Sequence, residues 1–264
     1  MSFAAIDGIT LHYRDSGPPE RPAIVFVNSL GTDLRIWDEV VALLAPRYRC
    51  IGFDKRGHGL SDSPPGPYSL DQHIADVLGL AAHLGIGRFD LVGVSIGGLI
   101  AQGVAARHPD RVRALVLCDT AARLGSAESW SQRIEKIEAG GMAAIVESIM
   151  ELWFSPTFRR DRPADLAGWR NMFLRADPAG YIANCGTLRD TDLTPEVAAI
   201  TAPTLVVAGA DDASTPPALV EQTARLIPGA RFEVIAGAGH IPSIEQPALL
   251  SGLIAAFLKE TPHE

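Results

Sequence analysis

The chain has 264 residues, 47% of them hydrophobic, and a formal net charge of −8. That is material for one large domain, or one domain with an insertion. The acidic balance and the lack of a basic stripe argue against nucleic-acid binding, and no run of about eighteen apolar residues is present to span a membrane.

The opening MSFAAIDGITLHYRDSG has no basic region followed by an apolar stretch, so no signal peptide is expected. Cys50, Cys118 and Cys185 are scattered and odd in number, which argues against a disulfide framework. A reducing cytoplasm is the simple inference. An anionic substrate gains nothing from the overall charge and would need a local arginine.

Residues 3–15 read as two short strands around the turn signal Asp7-Gly8. Residues 23–27, AIVFV, form a continuous β-branched and aromatic run, as a central buried strand does. It ends at Asn28-Ser29-Leu30-Gly31, and residues 37–44 look helical. Residues 49–53 are a third core strand, ending in the glycine-punctuated loop DKRGHGLS. Residues 70–84 are amphipathic, with Leu70, Ile74, Val77, Leu78, Ala81 and Leu84 on one helical face.

Residues 89–94 are another apolar strand, and residues 96–108 a helix rich in Ala and Gly. Between them stands Gly93-Val94-Ser95-Ile96-Gly97, the G-x-S-x-G pattern with a strand before it and a helix after. A serine on so sharp a turn adopts a strained backbone. Side chains two residues before and after it would collide with the neighbouring strand and helix, and glycine removes them. The Ser95 hydroxyl is then pushed out above the sheet. The Ile96 amide points to where an oxyanion would form.

Residues 112–117 are a further buried strand. Strands alternating with helices imply a mostly parallel sheet with helices on both faces. The rhythm then breaks. Residues 121–188 carry mostly helical patterns and three of the four tryptophans. Trp130, Ile134 and Ile137 share a face, residues 142–153 read as one helix, and a third helix runs through Leu166, Trp169, Phe173 and Leu174. This segment is expected to be a helical cap at residues 121–189, inserted into a core made of residues 1–120 and 190–264. Strands resume at residues 204–208 and 231–235, and residues 216–226 and 247–258 are the last helices.

A serine nucleophile needs a base, and the base needs an acid to hold its tautomer. In an open α/β sheet these lie just past the carboxyl ends of strands. The late strands are followed by Gly209-Ala210-Asp211-Asp212 and by Ala236-Gly237-Ala238-Gly239-His240. Of seven histidines, only His240 has the right position late in the chain. His12, His73, His83, His108 and His263 read as solvated surface residues, and His58 as a structural hydrogen-bonding residue. On chemistry alone Asp211 and Asp212 are equal candidates for the acid. No two histidines have a metal-helix spacing, so neither a metal nor a cofactor is expected. Gly237-Ala238-Gly239 does not continue into a dinucleotide fingerprint, because Pro242 stands at the third glycine position.

The chain resembles the α/β-hydrolases over its whole length: NSLG, DKRGHGLS, GVSIGG, GADDASTP and GAGH. The resemblance implies an eight-stranded, mostly parallel sheet with a helical cap. It makes Asp212 the acid, four residues before Pro216. It sharpens to the 3-oxoadipate enol-lactonases on NSLGTDLRIWD, DTAARLGSAESWSQRI, EAGGMAAIVESIMELWF and TLRDTDL, the middle two in the cap. One departure is Ile96, where that subfamily more often has Met. The implied substrate is a small anionic lactone, a step in aromatic catabolism by the β-ketoadipate route. The implied site is Ser95, Asp212 and His240, with the amides of Leu30 and Ile96 as oxyanion hole. Arg133, with Arg189 as alternative, would meet the substrate carboxylate, and Trp130 and Trp153 would wall the pocket. A general carboxylesterase, a carbon–carbon bond hydrolase and a poorly catalytic ligand sensor would share the same triad. A homo-oligomer stays open.

Overall fold

A computed structural model describes residues 2–261. Eight strands form one sheet in the order β1-β2-β4-β3-β5-β6-β7-β8. β1 (Ser2–Ile6) and β2 (Ile9–Ser16) form an antiparallel hairpin. Its turn is Asp7-Gly8, both at positive φ, the backbone that a two-residue hairpin turn requires. β2 joins β4 (Arg49–Phe53) antiparallel, and every later pairing is parallel.

Burial follows position in the sheet. β3 (Ala23–Val27), β5 (Phe89–Val94), β6 (Val112–Cys118) and β7 (Thr204–Gly209) are buried at every residue. Strands covered on both faces read as unbroken apolar runs. β8 (Arg231–Ile235) is an edge strand and buries only Ile235. Helix α1 (Asp38–Leu44) follows a 3-10 turn at Leu34–Trp37. α2 (Leu70–His83) begins with a capping box, in which the Ser69 hydroxyl accepts from Gln72 N–H and Gln72 Oε1 accepts from Ser69 N–H. α3 (Ile96–Arg107) buries each residue from Ile96 to Ala105 and so has no polar face.

Five helices separate β6 from β7: α4 (Ala127–Gly140), α5 (Val146–Trp153), α6 (Pro156–Asp161), α7 (Pro163–Leu174) and α8 (Pro178–Asp190). The single helix expected over residues 142–153 is a 3-10 turn followed by α5, broken at Ile145, whose φ −124 and ψ −5 leave the helical region. α8 starts at Pro178, with the Asp177 carboxylate accepting from the amides of Ala179 and Gly180. The insertion reaches the loops at the carboxyl ends of the strands: Asn184 Nδ2 donates to the Arg56 carbonyl (3.1 Å) and Trp153 C=O accepts His240 N–H (2.9 Å). α9 (Pro217–Leu226) links β7 to β8, and α10 (Pro242–Glu245) and α11 (Pro247–Glu260) finish the described chain.

Two histidines read as surface residues are buried. His12 faces Asp54, with Nδ1 2.7 Å from Oδ2, and His73 Nε2 lies 3.3 Å from Thr187 Oγ1. The loop after β4 covers His12, and α8 covers His73. Burial pushes the His73 imidazole well below its ordinary pKa, so it stays neutral. His263 lies outside the described residues. Among those residues no helix is long and apolar enough to cross a membrane.

Candidate active site

Strand order reverses between β3 and β5, which are neighbours with Val27 opposite Gly93. Their carboxyl ends therefore open one crevice, where ligands of such sheets bind. Ser95 sits at its floor with φ 58 and ψ −123. Holding a non-glycine residue there costs about 1–3 kcal/mol, and the surroundings must impose it. They do so. A Cβ on Gly93 would strike the Gly97 carbonyl oxygen, and one on Gly97 the Val27 carbonyl oxygen. Ser95 N–H donates to Cys118 C=O (3.0 Å), and Ser95 C=O accepts from Thr120 Oγ1 (2.7 Å). The Ser95 hydroxyl makes no hydrogen bond with a described residue, and the residue is 9% exposed.

The amides of Leu30 and Ile96 also donate to no group among the described residues. Both stand at this crevice, one after β3 and the other at the start of α3. A buried amide without a partner is unusual, and two together make a socket of free donors of the kind that can hold a developing negative oxygen. The helix end adds positive partial charge.

β7 and β8 run in register to Gly209 and Ile235, and the loops beyond them carry Asp212 and His240. His240 Nδ1 lies 2.9 Å from Asp212 Oδ2, and both side chains are buried. Asp212 Oδ1 accepts from the amides of Ser214 (2.7 Å) and Thr215 (3.0 Å), and Oδ2 from Thr215 Oγ1 (2.5 Å). Burial pushes the Asp212 carboxyl up, but His240 and the Thr215 donors outweigh it and hold the group below the ordinary carboxylate value. An ionised Asp212 accepts from Nδ1–H and so leaves Nε2 as the free base lone pair. Asp211 is exposed on the same turn, so of the adjacent pair only Asp212 faces the histidine.

Two acids that sequence reasoning passed over support this corner. Glu245 accepts from Gly239 N–H (2.7 Å) and from Ser155 Oγ (2.6 Å), tying the loop before His240 to the insertion. Asp119, at φ 46 after β6, is fully buried and accepts Gly209 N–H at 2.7 Å. Its other oxygen is buried without a hydrogen-bond partner among the described residues, and the Asp212 carboxylate is near enough to act on the group. Burial first, and the Asp212 charge second, push the Asp119 carboxyl well above its ordinary value. A neutral acid there can donate to the Asp212 carboxylate. Nothing in the string CDTAA signals this, because it depends on what the fold places beside residue 119.

Side chains of α7 and α8 pack against the loop after β3. Phe173 and Tyr181 lie against Gly31, where a Cβ would stand 2.8 Å and 2.9 Å from their rings. The Trp153 ring packs edge-on to Phe173 at 5.5 Å. Arg133 lies over the Trp130 ring at 4.8 Å, and its charge acts on the buried Tyr181 hydroxyl. Among the described residues no carboxylate pairs with Arg133. Arg189, by contrast, is paired with Asp190 through two 2.8 Å contacts near the surface. Phe173 and Tyr181 were not singled out in the sequence as site residues; their place beside the loop after β3 was the missing information. His58 Nε2 accepts Gly31 N–H at 2.8 Å, a structural bond that burial secures by keeping the ring neutral. A groove of about 430 Å³ runs along Gly31, Asp33, Arg35, His58 and Met172, and the residues Ser95, Asp212 and His240 do not line it.

The strained serine, the socket of amides and the histidine–carboxylate pair define a class. A family model for the alpha/beta hydrolase fold matches residues 22–247, and the chain belongs to that family. Within it, the chain is similar to two 3-oxoadipate enol-lactonases of Acinetobacter baylyi. One is 34% identical over 95% of this chain and 94% of its own length, the other 36% identical over 96% and 94%. The structure matches that of the enol-lactonase from Burkholderia xenovorans LB400 with a TM-score of 0.95 and 40% identity, covering 98% of this chain and 100% of that one.

Proposed function

We propose that the protein hydrolyses 3-oxoadipate enol-lactone to 3-oxoadipate through a Ser95 acyl-enzyme, in the cytoplasm and within aromatic catabolism. Helices α4 to α8 act as the cap over the site. The Ser95 oxygen attacks the lactone carbonyl carbon while His240 Nε2 takes its proton, and Asp212 stabilises the imidazolium. The amides of Leu30 and Ile96 hold the oxyanion. Collapse breaks the bond to the ring oxygen, which leaves as an enol with the proton from His240 and tautomerises to the ketone. Water, deprotonated by His240, then attacks the acyl carbon and releases the second carboxylate.

The observation that carries the lactone reading is Arg133. Its guanidinium lies over Trp130 and acts electrostatically on Tyr181, whose ring packs against Gly31, and it has no acidic partner among the described residues. A planar fork of donors suits the free acetate arm of the substrate. The similarity to enol-lactonases covers these helices as well as the core. Trp130 and Trp153 form apolar walls.

Steady-state kinetics on Arg133→Ala test the reading. We expect KM for the enol-lactone to rise about 10- to 100-fold, the worth of a hydrogen bond to a charged group, with p-nitrophenyl acetate unaffected. Equal losses on both substrates would remove Arg133 from carboxylate binding. An enzyme that turns over simple esters briskly and the lactone not at all is a general carboxylesterase.

A further inference from the structure

Lys55 is a buried titratable group that the mechanism above does not use. It follows β4, is 1% exposed, and its Nζ donates to the Ser29 carbonyl at 2.6 Å. Among the described residues that carbonyl is its sole hydrogen-bonding partner. A buried amine with one partner is an expensive way to hold a turn, since desolvating the charged form is opposed by little else. The thioether of a methionine would pack there without that cost. Burial holds the Lys55 amine well below the ordinary lysine pKa, with Asp54 and Asp33 working against it. In either protonation state Nζ carries hydrogens to donate.

The Ser29 carbonyl has further donors. Thr32 Oγ1 lies 2.9 Å away, Thr32 N–H 3.4 Å, and Asn28 Nδ2 3.4 Å. This concentration on one oxygen matters because of the covalent frame. The Ser29 carbonyl and the Leu30 N–H belong to the same peptide unit. That unit is planar and trans, so its oxygen and hydrogen point in opposite directions. Fixing the oxygen aims the hydrogen. Drawing electron density onto the oxygen also leaves the N–H a stronger donor, the cooperativity of hydrogen-bonded chains. The Leu30 N–H is the donor with no partner of its own among the described residues.

We propose that Lys55 is a positioning residue for the oxyanion socket: by binding the Ser29 carbonyl it aims and polarises the Leu30 amide. Thr32 assists from the same carbonyl. The negative oxygen of the tetrahedral intermediate thus feels Lys55 through one peptide bond, without contact. The proposal rests on Leu30 as an oxyanion donor. It does not depend on which ester or lactone is hydrolysed.

The test uses p-nitrophenyl acetate as substrate and phenylboronic acid as probe, which forms a tetrahedral adduct on a serine. Lys55→Met, Thr32→Val and Ser95→Ala are compared with the wild-type chain. Removing an oxyanion donor outright costs about 100- to 1000-fold, and a group acting through that donor should give less. We expect Lys55→Met to lower kcat about 10-fold with KM held, and to weaken phenylboronic acid by the same factor. Thr32→Val, which introduces no buried charge change, should shift both quantities in the same direction by about 3-fold. It decides the matter if Lys55→Met does not fold. A melting temperature lowered by either variant with kcat and boronate affinity intact makes these residues structural only and overturns the proposal. Activity retained in Ser95→Ala overturns both the serine reading and this one. An inert Ser95→Ala beside fully active Lys55→Met and Thr32→Val overturns the role of Lys55 alone.

Discussion

Asp119 and Asp212 share one buried corner, and their surroundings drive their acidities apart. Asp212 is held below the ordinary carboxylate value and Asp119 well above it. A carboxyl whose folded pKa is raised stabilises the protein fully below its unfolded value, and that contribution is lost as pH rises through the folded value. Asp119→Asn keeps an acceptor for Gly209 N–H and a donor toward Asp212 without a proton to lose. Its melting temperature should fall less than the wild type's as pH rises above the ordinary carboxylate range. Parallel pH profiles would mean that Asp119 is ionised in the folded protein. The acid limb has the opposite sign: stability from Asp212 is present above its unfolded value and lost as pH falls through its folded one. Gly97 is constrained by shape. Gly97→Ala drives a methyl into the Val27 carbonyl, and urea unfolding should show a loss of about 1–3 kcal/mol. A variant as stable as the parent would show that the turn has slack. Residues of this kind were readable in the sequence, because a strained serine forces glycine at fixed spacing. Asp119, Glu245 and Lys55 were not, because burial and partners from distant loops define them.

Elements differ in the same way. The four central strands announced themselves as apolar runs, and α2 by its apolar stripe. α8 gave a weaker signal. It buries Gly180, Asn184, Gly186 and Thr187 beside its apolar residues, so polar and small side chains occupy the face that packs. Asn184 and Thr187 are there to bond the Arg56 and Tyr68 carbonyls. That packing depends on the loop after β4, which the buried Arg56–Asp76 pair fixes to α2 with two 2.7 Å bonds. Asp76→Ala would strand a buried guanidinium and should cost about 3–5 kcal/mol in chemical denaturation. A loss under about 1 kcal/mol, as for exposed pairs, would place the loop's stability elsewhere.

At the scale of the molecule, the site is a product of strand order. The reversal between β3 and β5 sets the Leu30 loop beside Ser95, and the two strands that follow β6 in the sheet bring Asp212 and His240 alongside. Chain order pointed to Ser95, His240 and the adjacent Asp211 and Asp212; the choice of Asp212 came from the family resemblance, and the structure sets Asp212 against His240. The arrangement of the insertion was not legible there, since helix packing over a crevice leaves no fixed spacing in the sequence. The proposed reaction is serine-dependent hydrolysis of an anionic enol-lactone. Loss of 3-oxoadipate enol-lactone absorbance, followed for the wild-type chain and for Ser95→Ala, tests it most directly. Rapid loss that falls to the uncatalysed rate in the variant is the predicted result. Lactone turnover that survives the loss of the Ser95 hydroxyl, or its absence from the wild-type protein, would contradict it.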